Sequence, residues 1–244
     1  MQTDSIHVQS GLLSGRWNPA RSVRSFKGIP YARPPVGALR WQPPQPPEPW
    51  SGVRPADAFG PRAIQPNRPP HAVGYFGPEA ESENCLTLNI WTAANDRDER
   101  RPVMVWFHGG AFLVGSGSLP IFDGEALALH GVVLVTVNYR LGRLGFLAHP
   151  GLSAEQPYRA SGNYGHLDQI AALCWVRDNI AAFGGDPGCV TIFGQSAGSS
   201  TVNTLMASPL AKGLFHRAIG QSGGSFAVQA LPLREDAEIG RAHV

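Results

Sequence analysis

The serine in Val190-Thr-Ile-Phe-Gly-Gln-Ser-Ala-Gly198 is the residue that most plainly invites chemistry. Gly194-x-Ser196-x-Gly198 follows a short apolar run and precedes a helix-compatible stretch, Ser199 to Met206. On a tight strand-to-helix turn a serine hydroxyl is presented as a nucleophile for acyl carbon, and flanking glycines remove side chains that would collide with neighbouring backbone. The pattern alone is weak here. With 29 glycines among 244 residues, chance gives about 0.24 matches, and a second one stands at Gly220-Gln-Ser222-Gly-Gly224. Context favours Ser196. Upstream, Val103–Phe107 runs into His108-Gly-Gly-Ala-Phe112. Acyl transfer needs backbone N–H groups aimed at a developing oxyanion, and small residues let that backbone approach the substrate. A strand ending in His-Gly-Gly supplies one half of such a hole, and the N–H after the serine, on Ala197, supplies the other.

These motifs need a scaffold, and the chain's rhythm provides one. Val103-Met-Val-Trp-Phe107, Val132-Val-Leu-Val-Thr-Val137 and Val190-Thr-Ile-Phe193 are short, continuous and rich in β-branched residues, as strands buried on both faces are. Leu86-Thr-Leu-Asn-Ile-Trp91 alternates apolar and polar, which predicts a half-buried strand. Leu167, Ile170, Leu173, Val176, Ile180 and Phe183 recur at three- and four-residue steps and predict one helix with a single apolar stripe. Gly184-Gly185 stops it and Pro187 prevents its resumption. Strands separated by helices imply crossover connections, a mainly parallel sheet and the α/β class.

Residues 1–80 differ. Of the 22 prolines, 15 lie between Pro19 and Pro78, which excludes regular helix or central strand over much of this stretch. Short strands are expected at Ile6 to Val8 and Gly28 to Tyr31. Trp17, Phe26, Tyr31, Trp41, Trp50 and Phe59 make the rest a packed wrap over the core rather than a disordered linker.

Composition excludes several functions. Twenty Lys and Arg against 18 Asp and Glu leave a net charge of +2, with no electrostatic case for a nucleic-acid or anionic-membrane partner. No apolar run approaches the ~18 residues of a membrane span. Met1-Gln-Thr-Asp-Ser-Ile-His shows no basic region followed by an apolar stretch, so no secretory signal is read. Cys85, Cys174 and Cys189 lack metal-ligand spacing and cannot all pair. A reduced, cytoplasmic setting is the expectation.

The ordered motifs carry a resemblance. Ser82-Glu-Asn-Cys-Leu-Thr-Leu-Asn89, His108-Gly-Gly-Ala-Phe112, Asn138-Tyr-Arg-Leu-Gly142, Gly162-Asn-Tyr-Gly-His-Leu-Asp-Gln169, Phe183-Gly-Gly-Asp-Pro187 and Phe193-Gly-Gln-Ser-Ala-Gly198 are similar to the type-B carboxylesterases, which include the cholinesterases. The resemblance covers nearly everything from Gly28 to Gly223. It implies an α/β-hydrolase fold, hydrolysis of small-molecule carboxylic esters through an acyl-enzyme, no metal and no cofactor. It also implies Ser196 as nucleophile, with Gly110, Ala111 and Ala197 as the oxyanion-hole donors. Asp168 is then the structural partner of Arg140, and Glu83 pairs with Arg40 to pin the wrap. Ser222 supports the catalytic acid from behind, Asp186 forms a turn, and His108 and His216 are packing residues. His166 receives no role.

Departures sharpen the reading. Cys85 matches a family half-cystine whose partner would fall near Arg62–Ile64, where no cysteine stands. Gln195 replaces the glutamate that cholinesterases carry before the serine, which weakens a choline-ester reading. The family's triad acid and histidine lie well downstream, and only His216 and His243 follow Ser196. Residues 1–237 therefore read as the amino-terminal half of the domain, inactive towards esters on their own. The last seven residues, Glu238-Ile-Gly-Arg-Ala-His-Val244, can be encoded by a common sequencing-library adapter, which predicts a non-native tail over 238–244. Two other functions fit the same motifs. One is a non-catalytic adhesion or binding module, which would ordinarily have lost Ser196. The other is a lipase or peptidase on the same fold.

Overall fold

A computed structural model describes residues 5–66 and 79–224. Five strands precede residue 66: β1 (Ser5–Val8), β2 (Gly11–Ser14), β3 (Arg16–Trp17), β4 (Arg24–Pro30) and β5 (Val53–Pro55). Five follow residue 79: β6 (Thr87–Thr92), β7 (Arg101–Phe107), β8 (Val133–Val137), β9 (Gly185–Gln195) and β10 (Arg217–Gln221). The helices are α1 (Glu125–Leu129), α2 (Gly142–Phe146), α3 (Pro150–Glu155), α4 (Tyr164–Asn179) and α5 (Ala197–Ala207). Strands β1, β2 and β5 form a small sheet of their own. The main sheet has the order β10-β9-β7-β8-β6-β4-β3. From β10 to β8 every pairing is parallel, and from β8 to β3 every pairing is antiparallel. The α/β class follows directly. Among the described residues no helix is long and apolar enough to cross a membrane.

The core explains the sequence rhythm. Val103, Val105 and Phe107 of β7, Val133, Val135 and Val137 of β8, and Val190 and Ile192 of β9 are fully buried. They pack with Leu173 and Val176 of α4 and with Val202 and Leu205 of α5. Gly184 ends the α4 segment in a left-handed conformation, φ +77°, after a final 3-10 turn at Ile180–Phe183.

Three expectations need correction. The alternating strand is not half-buried: all six residues of β6 are buried, because it lies between β8 and β4. Its polar side chains are largely paired internally. Asn89 donates to Thr136 Oγ1 at 3.0 Å and accepts from the Gly28 N–H at 2.9 Å, while Thr92 donates to the Phe183 carbonyl at 2.9 Å. Helix α4 begins three residues before the stripe, and its buried face is wider: Leu173, Val176, Ile180 and Phe183 of the stripe are buried, and polar residues join them. Asp168, Gln169, Ala172 and Trp175 are buried, whereas Leu167 and Ile170 are half-buried. Strand β9 starts five residues before Val190, through an irregularity in its register with β7 between Arg101 and Val103. Asp186 sits in that irregularity, accepting from the Gly188 N–H at 2.9 Å and pairing with Arg100 at 2.7 Å.

The proline-rich wrap is packed. Tyr31 donates to the Asn138 carbonyl at 2.6 Å, Trp41 Nε1 to the Arg143 carbonyl at 2.9 Å, and Trp50 Nε1 to the Leu12 carbonyl at 2.9 Å. Arg40 grips Glu83 with two bonds of 2.6 Å. The proposed tail at 238–244, like His243, lies outside the described residues.

Candidate active site

Parallel pairing puts four strand ends in one row. Phe107 stands opposite Val137 on one side and Gly194 on the other, and Gly194 stands opposite Gly220. The segments leaving these strands are therefore neighbours: His108–Phe112 after β7, Asn138–Leu141 after β8, Ser196 after β9 and Ser222 after β10. The sheet sets the segments that carry residues 110, 111, 196, 197 and 222 side by side.

The turn at Ser196 is as tight as its glycines imply. Ser196 has φ +56° and ψ −120°, outside the ordinary regions for an L-residue, and immediately precedes α5. A Cβ at Gly194 would come within 2.5 Å of Gly198 backbone and 2.8 Å of the Phe107 carbonyl oxygen. One at Gly198 would overlap that same oxygen. The N–H of Ser196 is taken by the Gln221 carbonyl at 2.8 Å, so β10 fixes the turn from its far side. Ala197 opens α5, and its N–H is among those a helix start leaves without an internal partner.

Facing this turn is the loop after β7. A Cβ at Gly109 would meet Ser196 Cβ at 3.2 Å and the Gln195 carbonyl at 2.7 Å, so the two segments touch. Gly110, Ala111 and Phe112 all have positive φ, +117°, +55° and +59°. The Gly110 carbonyl accepts from the N–H groups of Leu113 at 3.0 Å and Val114 at 3.1 Å. No acceptor for the N–H of Gly110 or Ala111 occurs among the described residues. An uncompensated pair of N–H groups beside a serine hydroxyl can stabilise an oxyanion formed on a carbonyl attacked there.

Several further residues support the loop, most of them inside the motifs. Gln65 clamps Gly115, accepting from its N–H at 2.9 Å and donating to its carbonyl at 3.1 Å. Asn138 accepts from the Gly117 N–H at 2.7 Å. Tyr139 donates to the His108 carbonyl at 2.8 Å. Phe112, Phe146 and His166 form a triangle of ring contacts with centroids 4.9–5.4 Å apart, which gives His166 a packing part. Gln65 and Phe146 lie outside the motifs, and Gln65 gave no hint because its partner is fifty residues away. A cavity of about 330 Å³, lined by Ala111, Phe112, Leu113, Phe146 and Leu147 with Arg143 among its residues, opens beside the loop and suits an apolar group of a substrate.

The charged groups divide cleanly. Asp168 is not at the row of strand ends as a reacting group. It is fully buried and accepts three bonds of 2.7–3.0 Å from Arg140, one of them from the backbone N–H. Burial pushes the Asp168 carboxyl up against the pull of Arg140; burial also disfavours the Arg140 charge, and Asp168 beside it overrides this and keeps the guanidinium charged. His216 lies at the wrong end of the sheet. Its backbone N–H donates to the Val190 carbonyl, its Nδ1 accepts from the Val190 N–H at 3.1 Å, and six residues of strand separate Val190 from Ser196, about 20 Å. Cys85 is buried and unpaired, its thiol pushed up to about 12 by burial. It shares a cavity of about 10 Å³ with Ala63 and Ile64, where the resemblance placed the missing half-cystine. No group of three or more metal-ligating side chains occurs among the described residues.

Comparison with known proteins gives the family and the fold. The carboxylesterase family model matches residues 2–242. The fumonisin B1 esterase of Sphingopyxis macrogoltabida is 50% identical over 218 residues, 89% of this chain and 39% of that protein. The para-nitrobenzyl esterase of Bacillus subtilis is 50% identical over 221 residues, 90% of this chain and 44% of that one. A solved carboxylesterase from Geobacillus stearothermophilus superposes with a TM-score of 0.86 at 48% identity, covering 98% of this chain and 47% of that chain. The chain thus spans less than half the length of these relatives. It has the α/β-hydrolase fold and belongs to the carboxylesterase family.

Proposed function

We propose that this chain is the amino-terminal part of a serine carboxylic-ester hydrolase with Ser196 as its nucleophile. The observation that carries the reading is the shared row of strand ends, which sets the Gly109–Ala111 backbone against the Ser196 turn. Ser196 Oγ attacks the ester carbonyl carbon, and its proton passes to a histidine oriented by an acid, both supplied by chain beyond the described residues. The N–H groups of Gly110, Ala111 and Ala197 receive the oxyanion. The carbon–alkoxy bond then breaks, the alcohol leaves with the histidine's proton, and water hydrolyses the acyl-enzyme by the same steps. Ser222, at the end of β10, would brace the acid. The retained serine and unoccupied N–H donors favour catalysis over an adhesion role.

A cytoplasmic setting, without nucleic-acid or membrane partners, is supported by the balanced charge and by three free thiols. Residues 238–244 we infer to be adapter-encoded, so that the natural reading frame continues past 237. Amplifying the source locus and finding the same stop codon would overturn this.

The central test uses the whole protein, its reading frame extended from source DNA. Ser196→Ala abolishes turnover of p-nitrophenyl acetate and butyrate and labelling by a fluorophosphonate, while Ser222→Ala loses less. Stoichiometric labelling at Ser222 would reverse the assignment. Residues 1–244 alone are expected to turn over esters no faster than their own Ser196→Ala variant, because no histidine among the described residues bonds to the hydroxyl.

A further inference from the structure

The N–H groups that would receive the oxyanion are held from behind by unequal means. A trans peptide unit points its C=O and N–H in opposite directions, and no cis peptide occurs among the described residues. Fixing the carbonyl of one unit therefore aims the N–H of the same unit. For the unit ending in Ala111, the Gly110 carbonyl is fixed by two backbone donors, Leu113 and Val114. For the unit ending in Gly110, the Gly109 carbonyl is held by one side chain, His108, whose Nδ1 lies 2.8 Å from the oxygen.

His108 is well placed for this task. A carbonyl oxygen only accepts, so the proton is on Nδ1. The ring stacks on Tyr139 with centroids 4.5 Å apart and planes at 17°. Tyr139 in turn donates to the His108 carbonyl. Gly115 closes over the other side, where a Cβ would stand 2.5 Å from Nδ1 and 2.7 Å from the Gly109 oxygen. The side chain is 1% exposed, and burial pulls its pKa down to about 4, so it is neutral near pH 7. Simple strand-end packing would need the ring but not the Nδ1–H.

We propose that His108 is a positioning residue whose Nδ1–H, by holding the Gly109 carbonyl, keeps the Gly110 N–H aimed at the oxyanion formed at Ser196. The inference rests on the proposed nucleophile and assigns to a neutral histidine a part in the reaction other than proton transfer.

The test compares three variants of the whole protein, with active sites counted by fluorophosphonate titration so that misfolded molecules drop out. Asparagine places an amide N–H where the histidine Nδ1–H stands; glutamine reaches one carbon further; phenylalanine keeps the ring on Tyr139 but has no donor. His108→Phe and His108→Gln should lose about 10- to 100-fold in kcat for p-nitrophenyl butyrate with KM within about twofold, and His108→Asn should stay within about threefold of the parent. Affinity for a trifluoromethyl ketone, which forms the tetrahedral adduct, should fall with kcat across the same variants. Should one variant fold poorly, the ketone affinities of the other two against that of the parent still order donor against no donor. A packing role predicts the reverse order, with the phenylalanine variant active and the asparagine variant impaired, and that result overturns the proposal. So does an equal loss in all three. If Ser196→Ala retains turnover, the nucleophile reading and this one fall together. If Ser196→Ala is inactive while His108→Phe keeps its kcat, this one alone falls.

Discussion

Two neighbouring regions hold the strand ends in opposite ways. Around Ser196 the molecule uses small, uncharged residues in strained backbone. Four of the eight non-glycine residues with positive φ among the described residues are Ala111, Phe112, Ser196 and Ser222. Just beyond β8, Arg140 and Asp168 sit in a buried ion pair, their side chains 3% and 0% exposed, with neither residue among those of positive φ. The first region stores free energy, of order 1–3 kcal/mol per strained residue. The second avoids a cost, since either charge left alone would be buried without a partner. The difference teaches that the site is shaped by strain that the packing around it must over-determine, and that the ion pair belongs to that packing.

The largest effect should come from breaking the pair. Asp168→Asn strands the Arg140 charge and should cost about 3–5 kcal/mol in urea denaturation of the whole protein, while kcat per titrated site changes little. A large fall in kcat with unchanged stability would show the pair acting on the reaction and blur the distinction.

A smaller effect is pH-dependent and belongs to His108. Its pKa falls from 6.5 in the unfolded chain to about 4 in the folded one. As pH falls the unfolded state binds the proton first, so stability present above pH 6.5 is lost between 6.5 and 4. The loss should approach about 3 kcal/mol. Denaturation of the parent and of His108→Asn at pH 7.5, 5.5 and 4.5 checks this: the parent should lose ground with each acid step, and a constant gap would contradict the burial argument.

Next comes relief of strain. Ser196→Gly should raise stability by about 1 kcal/mol, because glycine tolerates positive φ, while removing activity. A destabilised Ser196→Gly would mean that the serine side chain contributes more packing than its backbone costs. The smallest change is expected at Arg40–Glu83, the same bidentate chemistry at the surface, where the side chains are 40% and 19% exposed. Glu83→Gln should leave the thermal midpoint within about 2 °C of the parent. A drop like that of Asp168→Asn would show that exposure is not what separates the two pairs.

Much of this was legible in the residues. Continuous β-branched runs marked β7, β8 and β9 correctly, and the glycines flanking Ser196 stand where a Cβ would strike Phe107 or Gly198 backbone. The pairings of Arg140 with Asp168 and of Arg40 with Glu83 were readable through motif resemblance. What failed was inference of burial from polarity. Asn89 looked like part of a solvent face, yet internal hydrogen bonds let it lie inside. Asp168 and Gln169 likewise share the inner face of α4 with Leu173 and Val176 of the aliphatic stripe. Periodicity reports hydrophobicity, and a polar side chain with a distant partner escapes it. Gln65 escaped for the same reason.

The bond from the Ser196 N–H to the Gln221 carbonyl also sets an order of events during synthesis. The turn at Ser196 gains its far support only after Gln221 has left the ribosome, and β10 then docks in register along β9. At about 5–20 residues added per second, that support arrives within seconds of the serine. In any longer chain built on this amino-terminal part, the serine turn is thus shaped while the rest is still being translated. In that interval the serine turn stands on β9 and α5 alone, without the strand that later holds its backbone N–H.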